Sequence, residues 1–429
     1  MNTSSSSIYQ PIDRTSRTIR LVRILPARDE DPDTISCSFS TFELAQCPPY
    51  VALSYARGPP DQGYTILVDN KPLIVRENLR HALREIRKKV YPSTISVNNK
   101  PLVIGENLRH ALREIQNRVY TSYLEPWTCS SKKHADPKIL PKQIAWSFFW
   151  IDALCINQED VAERNHQVNM MSSIYSGATL VLVWLGVEGD YSSLAMKFLK
   201  RLSNPLIRFS RKQLDIWSEL HQGLADICNR EYWTRLWTVQ ELLLARQLVL
   251  LCGTDLACWS GLYKLGRRPR KLKTFGTIDG WDAMAALGRK WNWENDRHTT
   301  FRRAVCSWNL EKLGCSDTRD RLFGLLGLFE QDDLGPMGLT AADYSKSAEQ
   351  IYSDVLSHLT RASTGPASEN WSFIVALMRV LRLNEGEGAE ARIAQLRMPV
   401  SPLTWPWLSY GGPYAGEANS IETRPFSML

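Results

Sequence analysis

One glutamate in a tryptophan-rich segment is the first candidate for chemistry. Trp233, Trp237 and Glu241 are spaced i, i+4 and i+8, so a helix would place them on one stripe. A carboxylate beside indole rings is poorly solvated, which raises its pKa and suits acid–base work or contact with a developing cation. The spacing alone favours a structural role, in which Glu241 pairs with an arginine or ends the stripe in solvent.

Two further polar groups follow predicted strands. Asp152 lies at the carboxyl end of an apolar run, where open α/β sheets form their ligand crevice. Its spacing alone favours a helix cap, a position that Asp commonly takes. Arg57 lies in the segment 54–58 (SYARG), which ends another strand and enters a Gly-Pro turn. Its guanidinium could bind a phosphate bidentately, whereas an arginine at a strand end is usually only solvated.

Alternating strands and helices must position these residues. Apolar or alternating stretches predict strands, and amphipathic spacing predicts one helix among them. The strands are predicted at 18–25, 35–39, 50–55, 145–154 and 179–185, and the helix at 159–175. Strand, helix and strand in this order, with continuously apolar strands, are typical of a parallel α/β sheet. The pattern from 190 to 250 is mostly helical.

An internal repeat interrupts this pattern. Residues 68–91 and 97–120 agree at 17 of 24 positions, 29 residues apart, and each copy predicts a short strand followed by an amphipathic helix. Solenoids need at least about three units to bury a continuous core, so two copies indicate a local duplication. One copy is predicted to be surplus to the fold, and the sequence leaves open which one.

Composition limits the class of protein. The 429 residues are 44% hydrophobic and 23% charged, which excludes a wholly disordered chain and a coiled coil. The net charge of +7 is too small for this length to predict nucleic-acid binding. Scattered cysteines without a C-x-x-C pair argue against structural zinc, and the longest apolar stretch is too short for a membrane span. We therefore expect no metal site and a cytoplasmic location.

Four motifs taken together resemble the fungal heterokaryon-incompatibility (HET) domain family. They are YVALSYARG (50–58), the block 149–186 that begins FWIDALCINQ, REYWTRLWTVQELLLAR (230–246) and DTRDRLFGLLGL (317–328). The resemblance covers roughly residues 17–345. The chain departs from the family pattern at Arg57, where most members have Trp, and in the added repeat unit.

The resemblance implies a role in non-self recognition that ends in programmed cell death. HET domains also resemble TIR domains, whose catalytic glutamate in the NAD-cleaving members matches Glu241. On this mapping NAD is a substrate, no cofactor is bound, and Glu241 is the predicted catalytic residue. The residues predicted to bind the nucleotide are Ser54, Tyr55, Arg57, Gly58, Asp152 and Trp237. A non-enzymatic signalling module and an inactive paralogue remain alternatives.

The predicted fold is α/β, with a TIR-like, flavodoxin-type parallel sheet flanked by helices and a mostly helical C-terminal extension. We divide the chain into a flexible lead-in (1–16), a TIR-like domain (17–250), a helical extension (251–345) and a C-terminal region of unclear fold (346–429). The implied partners are a second copy of the chain and another incompatibility protein.

Overall fold

The computed structural model describes most of the chain in eleven ranges. They are residues 8–28, 30–59, 63–91, 94–97, 100–103, 147–203, 217–266, 300–308, 310, 313–362 and 367–383. The predicted helix of the second repeat copy and the region 384–429 lie outside the described residues.

Nine of the eleven described strands form one sheet in the order β11-β10-β9-β3-β8-β1-β2-β4-β5, and β6 and β7 form a separate pair. The strands are β1 (Thr18–Ile24), β2 (Ser36–Glu43), β3 (Val51–Tyr55), β4 (Gly63–Val68), β5 (Lys71–Arg76), β6 (Thr94–Val97), β7 (Lys100–Val103), β8 (Phe149–Trp150), β9 (Leu180–Trp184), β10 (Leu248–Cys252) and β11 (Asp255–Cys258).

The helices lie between and after these strands. They are α1 (Glu77–Val90), α2 (Asp152–Cys155), α3 (Val161–Gly177), α4 (Ser192–Ser203), α5 (Trp217–Cys228), α6 (Trp237–Leu244), α7 (Trp259–Gly266), α8 (Phe301–Ser307), α9 (Asp320–Leu326), α10 (Gln331–Leu334), α11 (Ala348–Ala362) and α12 (Ala367–Val380). The described residues confirm an α/β architecture. None of the described helices is both long enough and apolar enough to cross a membrane.

The centre of the sheet is parallel. Strand β3 pairs in parallel with β8 on one side and β9 on the other, and β9 pairs in parallel with β10. All residues of β3 and β9 are buried, which explains why both strands read as continuous apolar runs. The four strands therefore lie in the order β8-β3-β9-β10, that is, second, first, third and fourth along the chain.

The prediction of a parallel sheet is correct for this centre, and among the described flanking strands only β2 and β4 pair in parallel. Strand β1 is antiparallel to β8 and to β2, and the two edge strands β5 and β11 are antiparallel to their neighbours. The hairpin of β10 and β11 lies in a stretch for which we predicted helices. Its strands are only five and four residues long, so they are too short for their pattern to be distinguished from a helix.

The first repeat copy belongs to the main sheet. Strands β4 and β5 form a hairpin whose turn residues Asp69 and Asn70 both have positive φ, as a tight two-residue hairpin turn requires. Helix α1 follows and buries the predicted apolar face, including Leu79, Leu83 and Ile86. The strands of the second copy pair in the same register, Val97 with Lys100 as Val68 with Lys71, but in the separate two-stranded sheet.

The N-terminal segment 8–12, part of the stretch that we expected to be a flexible lead-in, is packed against the sheet. Ile8, Tyr9 and Ile12 are buried, and the Tyr9 ring stacks on Phe39 with 5.6 Å between ring centroids. The Arg20 guanidinium covers the Tyr9 ring and also donates to the Gln10 carbonyl at 2.8 Å. Apolar burial and these two contacts hold residues 8–12 against the sheet.

Candidate functional site

The site lies at the carboxyl ends of strands β3 and β8, beside helix α6. Strand β3 ends at Tyr55 and β8 ends at Trp150, and Asp152 begins helix α2 immediately afterwards. Helix α6 carries Glu241 to Ser54 of β3. Since β3 and β8 are parallel, their last residues meet at one edge of the sheet. We call the six residues gathered there the strand-end cluster, and they are Ser54, Tyr55, Arg57, Asp152, Arg235 and Glu241.

Glu241 is buried among neutral hydroxyl groups. Glu241 is 7% exposed, and its carboxylate accepts a hydrogen bond from the Ser54 hydroxyl. The Ser54 oxygen lies 2.7 Å from the Tyr232 hydroxyl. Because Ser54 has a single proton and gives it to the carboxylate, Tyr232 is the donor to Ser54 when Glu241 is ionised. No lysine or arginine in the described residues lies within ion-pair distance of Glu241.

Burial controls the ionisation of this group. Loss of hydration raises the pKa of Glu241 to about 7, against smaller lowering effects from the hydrogen bonds of Ser54 and Tyr175 and the charge of Arg235. Burial also raises the pKa of Tyr175 and Tyr232, so both hydroxyls stay protonated and available as donors. Glu241 is therefore poised between its acid and its carboxylate near neutral pH, as acid–base or cation-stabilising chemistry requires.

An ion pair stands beside this carboxylate. Arg57 Nη2 donates to Asp152 Oδ2 at 3.0 Å, with both side chains partly exposed. Asp152 Oδ1 also accepts from the Ala153 amide at 2.7 Å, so Asp152 serves both as the start of α2 and as a partner of Arg57. Burial acts to raise the pKa of Asp152, but the charges of Arg57 and Arg235 prevail and lower it. Asp152 is therefore a carboxylate at neutral pH.

Arg235 joins the cluster from the segment before helix α6. Its Nη1 donates to the Tyr55 carbonyl at 2.6 Å, at the last residue of β3. Arg57 follows Tyr55 by two residues in the same turn, so two guanidinium groups flank the end of one strand. The sequence motifs contain Arg235, but no spacing argument singled it out, because its role depends on contact with a strand about 180 residues earlier.

The expected tryptophan stripe loses Trp233, while Trp237 and Glu241 remain four residues apart on helix α6. Residues Glu231–Thr234 form a short 3₁₀ helix, Arg235 is extended, and α6 begins only at Trp237. Trp233 is thereby separated from Glu241, and its indole donates to the Ile227 carbonyl at 2.7 Å. The break arises because Thr234 and Leu236 make backbone hydrogen bonds to Gly314, a residue of the C-terminal part.

Trp237 and Gly58 take structural positions in this arrangement. The Trp237 indole donates to Asp320 Oδ2 of α9 at 3.2 Å, and Asp320 also accepts from the Tyr344 hydroxyl at 2.6 Å. Gly58 has φ of +70°, the left-handed region that glycine enters without strain, and its carbonyl accepts from Arg76 at 2.8 Å. Their predicted contact with a nucleotide stays a prediction.

The first repeat copy contributes one residue to the same edge. Asn78, at the start of α1, accepts a hydrogen bond from the Trp184 indole at 2.7 Å and donates to the Ala56 carbonyl at 2.5 Å. It thus ties the end of β9 to the turn after β3. The sequence motifs do not single out Asn78, because its role depends on a contact with Trp184, 106 residues later in the chain.

The described residues offer no obvious metal site, since they contain no group of three or more His, Cys, Asp or Glu side chains that could hold an ion. The cluster contains two carboxylates and two arginines, of which Asp152 and Arg57 form an ion pair. This donor set suits a substrate that has both an anionic part and a centre at which positive charge develops.

Comparison with known proteins shows similarity to heterokaryon incompatibility proteins. Residues 138–241 match the family model described as "Heterokaryon incompatibility protein (HET)", a range that contains Asp152 and ends at Glu241. The chain is 28% identical over 274 residues to "Heterokaryon incompatibility protein 6, OR allele" of Neurospora crassa. The match covers 55% of this chain and 33% of that relative, so the chain spans about a third of the relative's length. No solved structure matches.

Proposed function

We propose that this protein is an effector of heterokaryon incompatibility that kills the cell by cleaving NAD at the bond between nicotinamide and ribose. The family match over residues 138–241 and the similarity to the Neurospora crassa relative support the incompatibility role. The observation that carries the enzymatic proposal is Glu241, a buried carboxylate with hydroxyl partners at the carboxyl ends of parallel strands. Self-association and cytoplasmic location stay predictions.

The strand order supports a ligand site at this edge. Sheets with the order second, first, third and fourth include the flavodoxin-like sheets, which bind ligands beyond the carboxyl ends of the strands at the point where the strand order reverses. The parallel centre of this sheet has that order, and the reversal lies at β3. A TIR-like fold is the form of this architecture that we propose for the chain.

The chemistry needs one well-placed carboxylate. The bond from ribose C1′ to the nicotinamide nitrogen breaks, and its electron pair leaves with the nitrogen, which neutralises the pyridinium. Positive charge develops on the ribose, as in glycoside hydrolysis. The Glu241 carboxylate stabilises that charge, and Ser54 and Tyr232 hold the carboxylate in place. Water then adds to C1′, which yields ADP-ribose and releases a proton.

The test is NAD consumption by the purified chain, alone and clustered through a fused oligomerisation tag. We expect the wild type to release nicotinamide and Glu241→Gln to lose at least about 100-fold of the rate, because the stabilising charge is gone. Glu43→Gln, which changes an exposed glutamate of β2, is the matched control and should keep full activity.

The same variants separate the enzyme from a signalling module. Expression of the wild type in a fungal host should kill, and Glu241→Gln should not. Killing by a wild type that consumes no NAD when clustered would overturn the enzymatic proposal and would favour a non-enzymatic module. Absence of both killing and NAD consumption would favour an inactive paralogue.

A further inference from the structure

The strand-end cluster has more positive than negative charge outside Glu241. Arg57 and Arg235 contribute two guanidinium groups, and Asp152 contributes one carboxylate that both arginines stabilise. One positive charge is therefore left without compensation whenever Glu241 is protonated. An arginine pair that shares one carboxylate can bind an additional anion.

The hydrogen-bonding capacity of the two arginines is also incompletely used. Among the described residues, Arg57 bonds only to Asp152, through Nη2, and its enclosed Nε has no partner at all. The Arg235 side chain bonds to the Tyr55 carbonyl through Nη1 and, among the described residues, to no other group. A guanidinium presents five donors in a planar fork, and buried donors without a partner are costly.

Both arginines are partly exposed to solvent. The Arg57 side chain is 42% exposed and that of Asp152 is 23% exposed. Arg235 is half-buried. Both side chains lie beyond the end of β3, which ends one residue after Ser54, the hydrogen-bond partner of Glu241. An anion bound there would be attached to the same molecule whose ribose reaches Glu241.

From this charge, these open donors and this placement, we propose that Arg57 and Arg235 form a clamp for the pyrophosphate of a dinucleotide, which makes the phosphate groups a requirement for binding. The clamp rests on the proposed function for the identity of the reacting centre, but it makes a separate claim about recognition. A phosphate oxygen would accept from the free donors of Arg57 and from Arg235, while Asp152 keeps Arg57 oriented.

The experiment measures binding, so it does not depend on turnover. The probes are ADP-ribose, inorganic pyrophosphate and adenosine, titrated calorimetrically into the wild type, Arg57→Gln, Arg235→Lys and Arg80→Gln. Arg80 lies on α1 over the Tyr64 ring, outside the cluster, and is the matched control. Arg235→Lys keeps the positive charge near the Tyr55 carbonyl and removes only the planar guanidinium group with its several donors.

We expect the wild type to bind ADP-ribose and pyrophosphate but not adenosine. Arg57→Gln should weaken both anions by about tenfold or more, since it removes charge-assisted hydrogen bonds. Arg235→Lys should weaken them less, and Arg80→Gln should leave them unchanged. The clamp is overturned if the wild type fails to bind either anion, or if Arg57→Gln binds both as tightly as the wild type.

The outcomes for the clamp and for the enzyme are distinguishable. Cleavage of NAD and of phosphate-free nicotinamide riboside at equal efficiency, with ADP-ribose binding insensitive to Arg57, would refute the clamp and leave the enzymatic proposal intact. Arg57-dependent binding of ADP-ribose without any NAD cleavage would refute the enzymatic proposal and leave the clamp intact.

Discussion

Two buried glutamates of this protein have opposite surroundings. Glu163 of α3 is 2% exposed and meets Arg20 of β1, 1% exposed, with 2.8 Å between Arg20 Nη1 and Glu163 Oε1. It also accepts from the Asn157 amide at 2.7 Å. Glu241 has hydroxyl partners, and no cation in the described residues forms an ion pair with it.

The difference separates a carboxylate held in an ion pair from one held by hydroxyl groups. The Arg20–Glu163 pair is further bound by backbone carbonyls of Cys155 and Gln10, so it joins β1, α2 and the N-terminal segment. Glu241 joins α6 to β3 only through Ser54, at the expense of a carboxylate that is held near its neutral form. A buried carboxylate with a raised pKa at a strand end is a candidate for acid–base chemistry.

The largest expected effect is on the structural pair. Glu163→Leu leaves the buried Arg20 without a counter-charge, which should lower the free energy of unfolding by about 3–5 kcal/mol. The double variant Arg20→Met with Glu163→Leu should recover much of that loss. Urea denaturation measures both.

The control for this prediction is an exposed pair. Asp354→Asn breaks the ion pair with Lys346, whose side chains are about half exposed, and should cost less than about 1 kcal/mol. A similarly small loss for Glu163→Leu would contradict the structural role of the buried pair.

The second prediction concerns how Glu241 makes the stability of the fold depend on pH. The pKa of Glu241 is about 7 in the folded protein against an ordinary value of 4.5, so the folded state binds the proton more tightly. Protonated Glu241 therefore contributes up to about 3 kcal/mol to the free energy of unfolding. This contribution is fully present below about pH 4.5 and is lost as the pH rises through about 7. Because glutamine does not titrate, Glu241→Gln should be more stable than the wild type at pH 8, by more than at pH 5.

Thermal unfolding of both proteins at the two pH values measures this difference, with Glu43→Gln as the control that should show none. A stability difference between Glu241→Gln and wild type that is equal at pH 5 and pH 8 would show that Glu241 ionises in an ordinary way. The contrast with Glu163 would then disappear.

The smallest expected effect refines the Glu241 side of the contrast. Ser54 donates to the carboxylate and lowers its pKa, so Ser54→Ala should move the pH midpoint of NAD cleavage upward by roughly one unit. The midpoint of the pH-dependent stability should move by the same amount. Ser203→Ala removes a hydroxyl that bonds only to its own helix at Leu199, and should leave both midpoints unchanged.

A downward or absent shift in Ser54→Ala would mean that Ser54 does not support the ionised form. Tyr175 would then be the main donor to Glu241, and Tyr175→Phe should produce the upward shift instead.

Local patterns in the sequence were sufficient for several elements. The continuous apolar runs of β3 and β9 and the amphipathic spacing of α1 led to correct predictions, because burial on both faces or on one face leaves a periodic signature. The short β10–β11 hairpin and the break at Arg235 left none, since each depends on contacts with distant residues.

What the sequence by itself determined is therefore the parallel strands β3, β8 and β9 and the presence of polar residues at their ends. Only the tertiary structure decided their chemistry. Glu241 meets Ser54 across 187 residues, whereas Glu163 meets Arg20 across 143. The ionisation of a buried acid depends on its hydration and on the charges around it, and these are set by which distant groups fold against it.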